Sequence, residues 1–203
     1  MKTVEETLGK YLRPNAVGFV RSLQQENTFD FRITNPRNSK HGDFKFDSRK
    51  LPRPVISVNG NLNPDFFLFT FLHEYAHLIS FRIYGARVQA HGKEWKDCFR
   101  KLLMKSLEKE LFPSPIAKAI RNSLDHLKST TMGNIEIYHA LLAYNGESAA
   151  LILGDLDKGE SFIFKGRRFL NEGKRRTRYL CKELSSGKQY LIHGASPVEK
   201  YEE

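Results

Sequence analysis

Residues 69–81 read FTFLHEYAHLISF, two imidazoles and a carboxylate set among large apolar side chains. A helix built only for a hydrophobic core gains nothing from orphan ring nitrogens, because a buried polar group without a partner costs about 2 kcal/mol or more. An α-helix turns about 100° per residue, so His73 and His77, four residues apart, stand on one face a turn apart. Two neutral imidazoles placed that way converge on a single ion. Glu74, offset by one residue, reaches beside that face as an acid–base group rather than as a ligand. The competing reading at this stage is a packing helix whose histidines bond to backbone or water, with Glu74 facing solvent.

A catalytic zinc commonly takes three protein ligands and leaves a fourth position open. Asn63 followed by Pro64 is a helix start signal, and Gly85 is a stop after Tyr84, so the helix spans about 30 Å. A turn at Gly85 allows the chain to reverse and bring His91, in AHGKEW, back to the first two histidines. Glu94 lies near the same turn and is the next candidate ligand. His41 sits in a polar turn within reach of a substrate, and His126, His139 and His193 read as surface or packing residues. Tyr84, between the two motifs, is a candidate transition-state stabiliser, with core packing as its alternative.

Working outward, the pattern is mixed. Thr3 and Glu6 have capping-box spacing before Leu8, Tyr11 and Leu12, and Val17, Val20 and Leu23 suggest a second short helix. Phe29, Phe31 and Ile33 alternate with polar residues, NPRNSKHGD is a turn-rich connector to Phe44 and Phe46, and Pro54 to Val58 is strand-like. Beyond His91, a helix is expected from Gly92 to Leu111 and another from Ile116 to Leu127. LKSTTMGN reads as a linker, IEIYHALLAYN as a short helix, and SFIF, RYLCKEL and QYLIHG as strands. These features predict an α+β chain in three parts: residues 1–128 around the HEYAH helix, 129–146 as linker and short helix, and 147–203 as a small β-rich module.

The 203 residues are 40% apolar and 28% charged, as in an ordinary folded protein, and the formal net charge of +10 favours acidic partners such as nucleic acid. With only Cys98 and Cys181, neither in a Cys-x-x-Cys pair, the chain has no thiolate zinc knuckle. The N-terminus lacks the apolar run of a signal peptide and no segment is long enough to cross a membrane, so a cytoplasmic, nucleoid-associated location without membrane partners is expected.

HEYAH followed by HGKEW, with short strands and ISVNGNLNP leading into the helix, resembles the SprT-like family of zinc metallopeptidase domains, which includes the Spartan proteases acting on DNA–protein crosslinks. The resemblance runs from about Leu23 to Leu111. It implies a zincin-like domain, one Zn2+ ion held by His73, His77 and His91, Glu74 as general base, and hydrolysis of peptide bonds in protein or peptide substrates associated with DNA. Many members have Leu where this chain has Tyr75, a position that faces away from the histidine pair by periodicity. Some relatives carry a cysteine-based zinc ribbon, which this chain cannot form.

KGRRFLNEGKRRTRYLCK gathers Lys165, Arg167, Arg168, Lys174, Arg175, Arg176, Arg178 and Lys182 against one acid, Glu172, with Phe169 and Tyr179 between them. Such a segment suits non-sequence-specific binding to phosphates, with aromatics able to stack on bases. Read as one strand, RRTRYLCKEL puts Arg176 and Arg178 on one face, Arg175 and Thr177 on the other, and Leu180 in a hydrophobic underside. The plainer reading is a solvated β face whose Phe169 belongs to the module's core. The rival function is a nucleic-acid-associated binding protein with a structural or vestigial zinc site.

Overall fold

The apolar residues around the two histidines belong to a single long helix that is buried on most of its surface and packs against a second helix and two strands. In the computed structural model, which describes residues 4–37, 39–47, 49–131, 133–143, 151–176 and 178–201, that helix is Pro64–Tyr84. The Asn63 side chain accepts a hydrogen bond from the Phe66 amide at 2.8 Å, and Gly85 closes the far end at φ 81°. The elements in chain order are α1 (Val4–Leu8), α2 (Pro14–Glu26), β1 (Asp30–Thr34), β2 (Gly42–Lys45), β3 (Val55–Asn59), α3 (Pro64–Tyr84), α4 (Lys93–Glu108), α5 (Ser114–Ser123), α6 (Ile135–Ala143), β4 (Ser161–Phe164), β5 (Arg167–Arg175), β6 (Arg178–Glu183), β7 (Gln189–His193) and β8 (Glu199–Lys200). They form two compact units, residues 1–129 and 130–203. The helix expected within the linker, α6, groups with the second unit. The expected module start at residue 147 and the Thr3 cap lie outside the described residues.

In the first unit a three-stranded sheet has the order β1-β3-β2, with β1 parallel and β2 antiparallel to β3. Every residue of β3 is buried, as befits a central strand covered by α3. Phe29, Phe31, Phe67, Phe71 and Tyr75 interlock through ring centroids 5.2–6.5 Å apart. Two polar ties fix α3 against α2. Arg13 makes a two-pronged bond to Asp65, 2.8 Å on each arm. The Tyr75 hydroxyl donates to the Leu23 carbonyl at 3.0 Å and accepts from the Asn27 side-chain Nδ2 at 2.7 Å. Tyr75 is therefore turned away from the histidines, and its polar tip is spent on holding two helices together.

The second unit is a five-stranded antiparallel sheet in the order β7-β6-β5-β4-β8. Leu153, Leu156, Phe162, Phe169, Cys181, Ile192 and Val198 form its core. A bulge between Asn171 and Gly173 is stapled by the buried Asn171 side chain, which donates to the Leu156 and Asp157 carbonyls and accepts from the Gly173 amide. RRTRYLCKEL is not one strand: Arg175 pairs directly with Arg178 across a tight turn in which Arg176 takes φ 53°. Leu180 consequently shares a face with Arg178 and Lys182, while Tyr179, Cys181 and Glu183 take the other, so the hydrophobic underside expected at Leu180 lies at Cys181 instead. No helix among the described residues is long and apolar enough to cross a membrane.

Candidate metal centre

His73 and His77 come from successive turns of α3, and His91 reaches them from the loop that joins α3 to α4. That loop needs a reversal within a few residues, and His91 itself supplies it with φ 62°, in the left-handed region that a side chain seldom adopts. The ring nitrogens of the three residues lie within 4.8 Å of one another, and the trio can hold a metal ion. His91 Nε2 is 3.2 Å from His73 Nε2 and 3.1 Å from His77 Nε2. One ring nitrogen offers a single proton or a single lone pair in its plane, so it cannot hydrogen-bond well to both neighbours at once. A shared cation satisfies all three. Tetrahedral zinc with bonds of 2.0–2.1 Å sets its nitrogen ligands about 3.3 Å apart, close to the separations seen here.

The wall around the trio is aromatic. Trp95, fully buried on the first turn of α4, lies 4.6, 5.1 and 4.7 Å from the rings of His73, His77 and His91. Phe99 backs His73 at 5.5 Å, and Phe44 of β2 lies nearly parallel to His77 at 6.3 Å. Burial in this shell lowers the pKa of all three imidazoles. His73 falls well below its ordinary value through burial and then through His77 and His91, and His77 falls to about 4 through burial and then His91, opposed by Asp43. His91 is lowered by burial. Each of these shifts favours the neutral imidazole, the form that binds a metal.

Glu74 is 8% exposed. Burial, then the nearby Asp43, push its carboxyl up to about 8, opposed by Arg37, Lys40 and a hydrogen bond from the Phe44 amide. A carboxylate so desolvated is a stronger base than one in water. Asp43 is itself held by Lys40 at 2.9 Å and Lys45 at 3.3 Å. Arg37 is positioned by β3, donating to Asn59 at 2.8 Å and Ser57 at 3.1 Å. None of Arg37, Gly42 or Asp43 carried a sequence signal, because the connector they occupy has no periodicity to mark which side chains face the helix; Phe44 was legible as a strand residue, but not its contact with the helix.

Other expected positions fall elsewhere. Tyr84 is 50% exposed at the last turn of α3, about 10 Å along the axis from His77, and makes none of the ring contacts described for the trio; this placement does not support a stabilising role. Glu94, on the first turn of α4, is outside the ligand group. The His41 ring packs against Phe66, and His193 accepts a hydrogen bond from the Ala195 amide. His126 is exposed and His139 half-buried on α6.

The eight cations of the basic segment, residues 165–182, do not share one face. Arg167 points to the core side, where it bonds to Glu183 and to the Tyr190 hydroxyl and lies 4.9 Å over the Tyr190 ring. Arg168 is bonded to Tyr201 at 2.9 Å. Lys165 lies over Phe164 in the tight β4–β5 turn. Lys174 pairs with Tyr179, opposite in face to Arg175, Arg178 and Lys182, and Arg176 occupies the hairpin tip. All of the last five are exposed. Thr177 lies outside the described residues.

Residues 31–114 match the SprT-like family model. Protein SprT from Pseudomonas putida strains F1 and KT2440 is 50% identical to this chain over a match covering 25% of the chain and 45% of the relative. Protein SprT from strain W619 is also 50% identical, over 16% of this chain and 20% of its own length. The chain therefore matches less than half the length of these curated relatives, and no solved structure matches it significantly. The matched residues contain nearly all of β1 through the end of α4 and all three histidines, so this segment of the chain is similar to the SprT-like family.

Proposed function

We propose that this chain is a zinc metalloprotease in which His73, His77 and His91 hold the ion and Glu74 serves as general base, within a zincin-like arrangement of helix and sheet. The carrying observation is the convergence of three ring nitrogens beside a buried carboxyl group on the adjacent residue. When bound, zinc supplies Lewis acidity to a water and to a carbonyl. Glu74 accepts a proton at its carboxylate and returns it to the leaving amine. Trp95, Phe99 and Phe44 exclude bulk water from the imidazoles and keep their rings oriented.

A peptide substrate is favoured by β2. Among the described residues it pairs only with β3, leaving an edge beside Glu74 to which an extended chain can add by main-chain hydrogen bonds. The exposed Arg175, Arg178 and Lys182 favour sequence-independent contact with DNA phosphates, which would bring the catalyst to DNA-associated proteins in the cytoplasm or nucleoid.

The test is cleavage of denatured protein by zinc-loaded wild type, Glu74→Gln and His91→Ala, with metal content measured on each. Wild type should bind one zinc and cleave, Glu74→Gln should bind without cleaving, and His91→Ala should lose most of the metal. Zinc bound at one equivalent with no Glu74-dependent cleavage, with or without DNA, favours the structural-zinc binding protein instead.

A further inference from the structure

Gly42 is buried on β2, and its backbone is not left-handed, so no conformational need explains a glycine there. The reason is proximity. A Cβ at this position would lie 2.6 Å from Glu74 Oε1, 2.7 Å from Glu74 Cγ and 2.7 Å from Thr70 Cγ2, where real Cβ atoms essentially never come within 3.0 Å and ordinary contact begins at 3.4 Å. Both obstacles lie on α3, and one of them is the carboxylate assigned to proton transfer.

A second observation comes from the same strand. The Asn59 amide donates to the His41 carbonyl at 2.8 Å. Antiparallel pairing alternates, so the backbone groups of His41, Asp43 and Lys45 face β3, while those of Gly42 and Phe44 face the open edge. The Phe44 amide uses that outward direction to donate to Glu74. The carboxylate is thus held by a backbone donor on one side, and the strand carrying that donor comes this close only because position 42 has no side chain.

We propose that Gly42 is a positioning residue for Glu74: its missing side chain admits β2 to the helix, so that the Phe44 amide fixes the carboxylate beside the histidine trio. This rests on the proteolytic reading for its kinetic consequence, but not for its geometry. Restoring an ordinary contact moves the carboxylate by about 0.8 Å, and a displacement near 1 Å costs about 100-fold in rate. The zinc ligands are untouched, so the loss should fall on turnover and spare metal affinity.

The experiment compares wild type, Gly42→Ala, Glu74→Gln, Thr70→Ser and the Gly42→Ala/Thr70→Ser double variant. Gly42→Ala should retain one zinc with affinity within about twofold, lose about 100-fold in kcat and change KM little. Thr70→Ser removes the second obstacle, so it should return thermal stability to Gly42→Ala without returning kcat. In metal-free protein, the Phe44 amide proton should move upfield by NMR in Gly42→Ala and in Glu74→Gln alike. Wild-type kcat in Gly42→Ala, rescue of kcat by Thr70→Ser, or a Phe44 amide indifferent to Glu74→Gln overturns the proposal. If Gly42→Ala does not fold alone, the Gly42→Ala/Thr70→Ser double variant, relieved of the Thr70 obstacle, carries the test: an upfield Phe44 amide with lowered kcat supports the proposal, and a wild-type amide position or kcat overturns it. If wild type fails to cleave, the proteolytic reading falls, while the amide shift continues to test the positioning.

Discussion

Replacing Tyr75 by Phe isolates a polar tie within the apolar packing of α3. The ring stays in its stack with Phe71, 5.8 Å away, and only the hydroxyl is lost. That oxygen donates to the Leu23 carbonyl and accepts from Asn27. Two neutral hydrogen bonds contribute about 1 kcal/mol each net. Full orphaning would cost more, but the Leu23 carbonyl keeps the Asn27 amide at 3.1 Å, and Asn27 is half-exposed and can turn to water. The expected destabilisation is therefore about 2 kcal/mol, the sum of two ordinary hydrogen bonds. Urea unfolding followed by Trp95 fluorescence measures it cleanly, because Trp95 is the only tryptophan and lies in the first unit. Burial also pushes the Tyr75 hydroxyl up to about 12. Its contribution should be complete below pH 10 and vanish as pH rises through 12, so wild type should lose more stability than Tyr75→Phe over that window. A loss under about 0.5 kcal/mol, or a loss of zinc from a folded variant, would refute the view that this residue ties helices and takes no part in chemistry.

Arg13→Ala leaves the buried Asp65 carboxylate without its partner and should cost about 3 kcal/mol, the low end for a broken buried pair because Arg13 is partly exposed, as read by denaturant unfolding. Saturating zinc at a hundredfold over Kd should stabilise the first unit by about 2.7 kcal/mol by Trp95-detected melting, with the gain abolished in His91→Ala and reversed by chelator. In the second unit, hydrogen bonds from Arg167 and Ser186 hold the Glu183 carboxyl down to about 2. Its contribution is present above pH 4.5 and lost as pH falls through 2, so Glu183→Gln should flatten acid unfolding there. Charge reversal at Arg175, Arg178 and Lys182 together should remove DNA affinity and lower the salt slope by about 3, whereas Arg167→Ala should change it little, since that guanidinium is committed to Glu183 and Tyr190.

What could be read from the chain alone follows from short-range geometry. His73, Glu74 and His77 lie within two turns of one helix, and helical spacing by itself places both rings on a face. The Asn63–Pro64 start and Gly85 stop are equally local, as is the alternation that marked β1. The Phe169 core position and the direction of Tyr75 away from the histidine pair also follow from periodicity. Local pattern failed where a turn interrupts it: the Arg175–Arg178 hairpin divides what reads as one strand, and parity then sends Leu180 outward with its basic neighbours.

Only the tertiary structure decided which distant groups share a site. His91 meets the helix because a left-handed residue reverses the loop, and the trio's lowered pKa values come from a shell of Trp95, Phe99 and Phe44 drawn from other elements. Glu74's environment depends on Gly42 and Phe44, 30 or more residues earlier in the chain. The cations of the basic segment look uniform in sequence, yet pairing and strand face commit Arg167 to Glu183 and Tyr190 and set Arg178 on the opposite, exposed face, where it donates to the Leu191 carbonyl at 3.4 Å. Periodicity determines the direction in which a side chain leaves its own element. Proximity, desolvation and partnership belong to the packing between elements, and those set the chemistry.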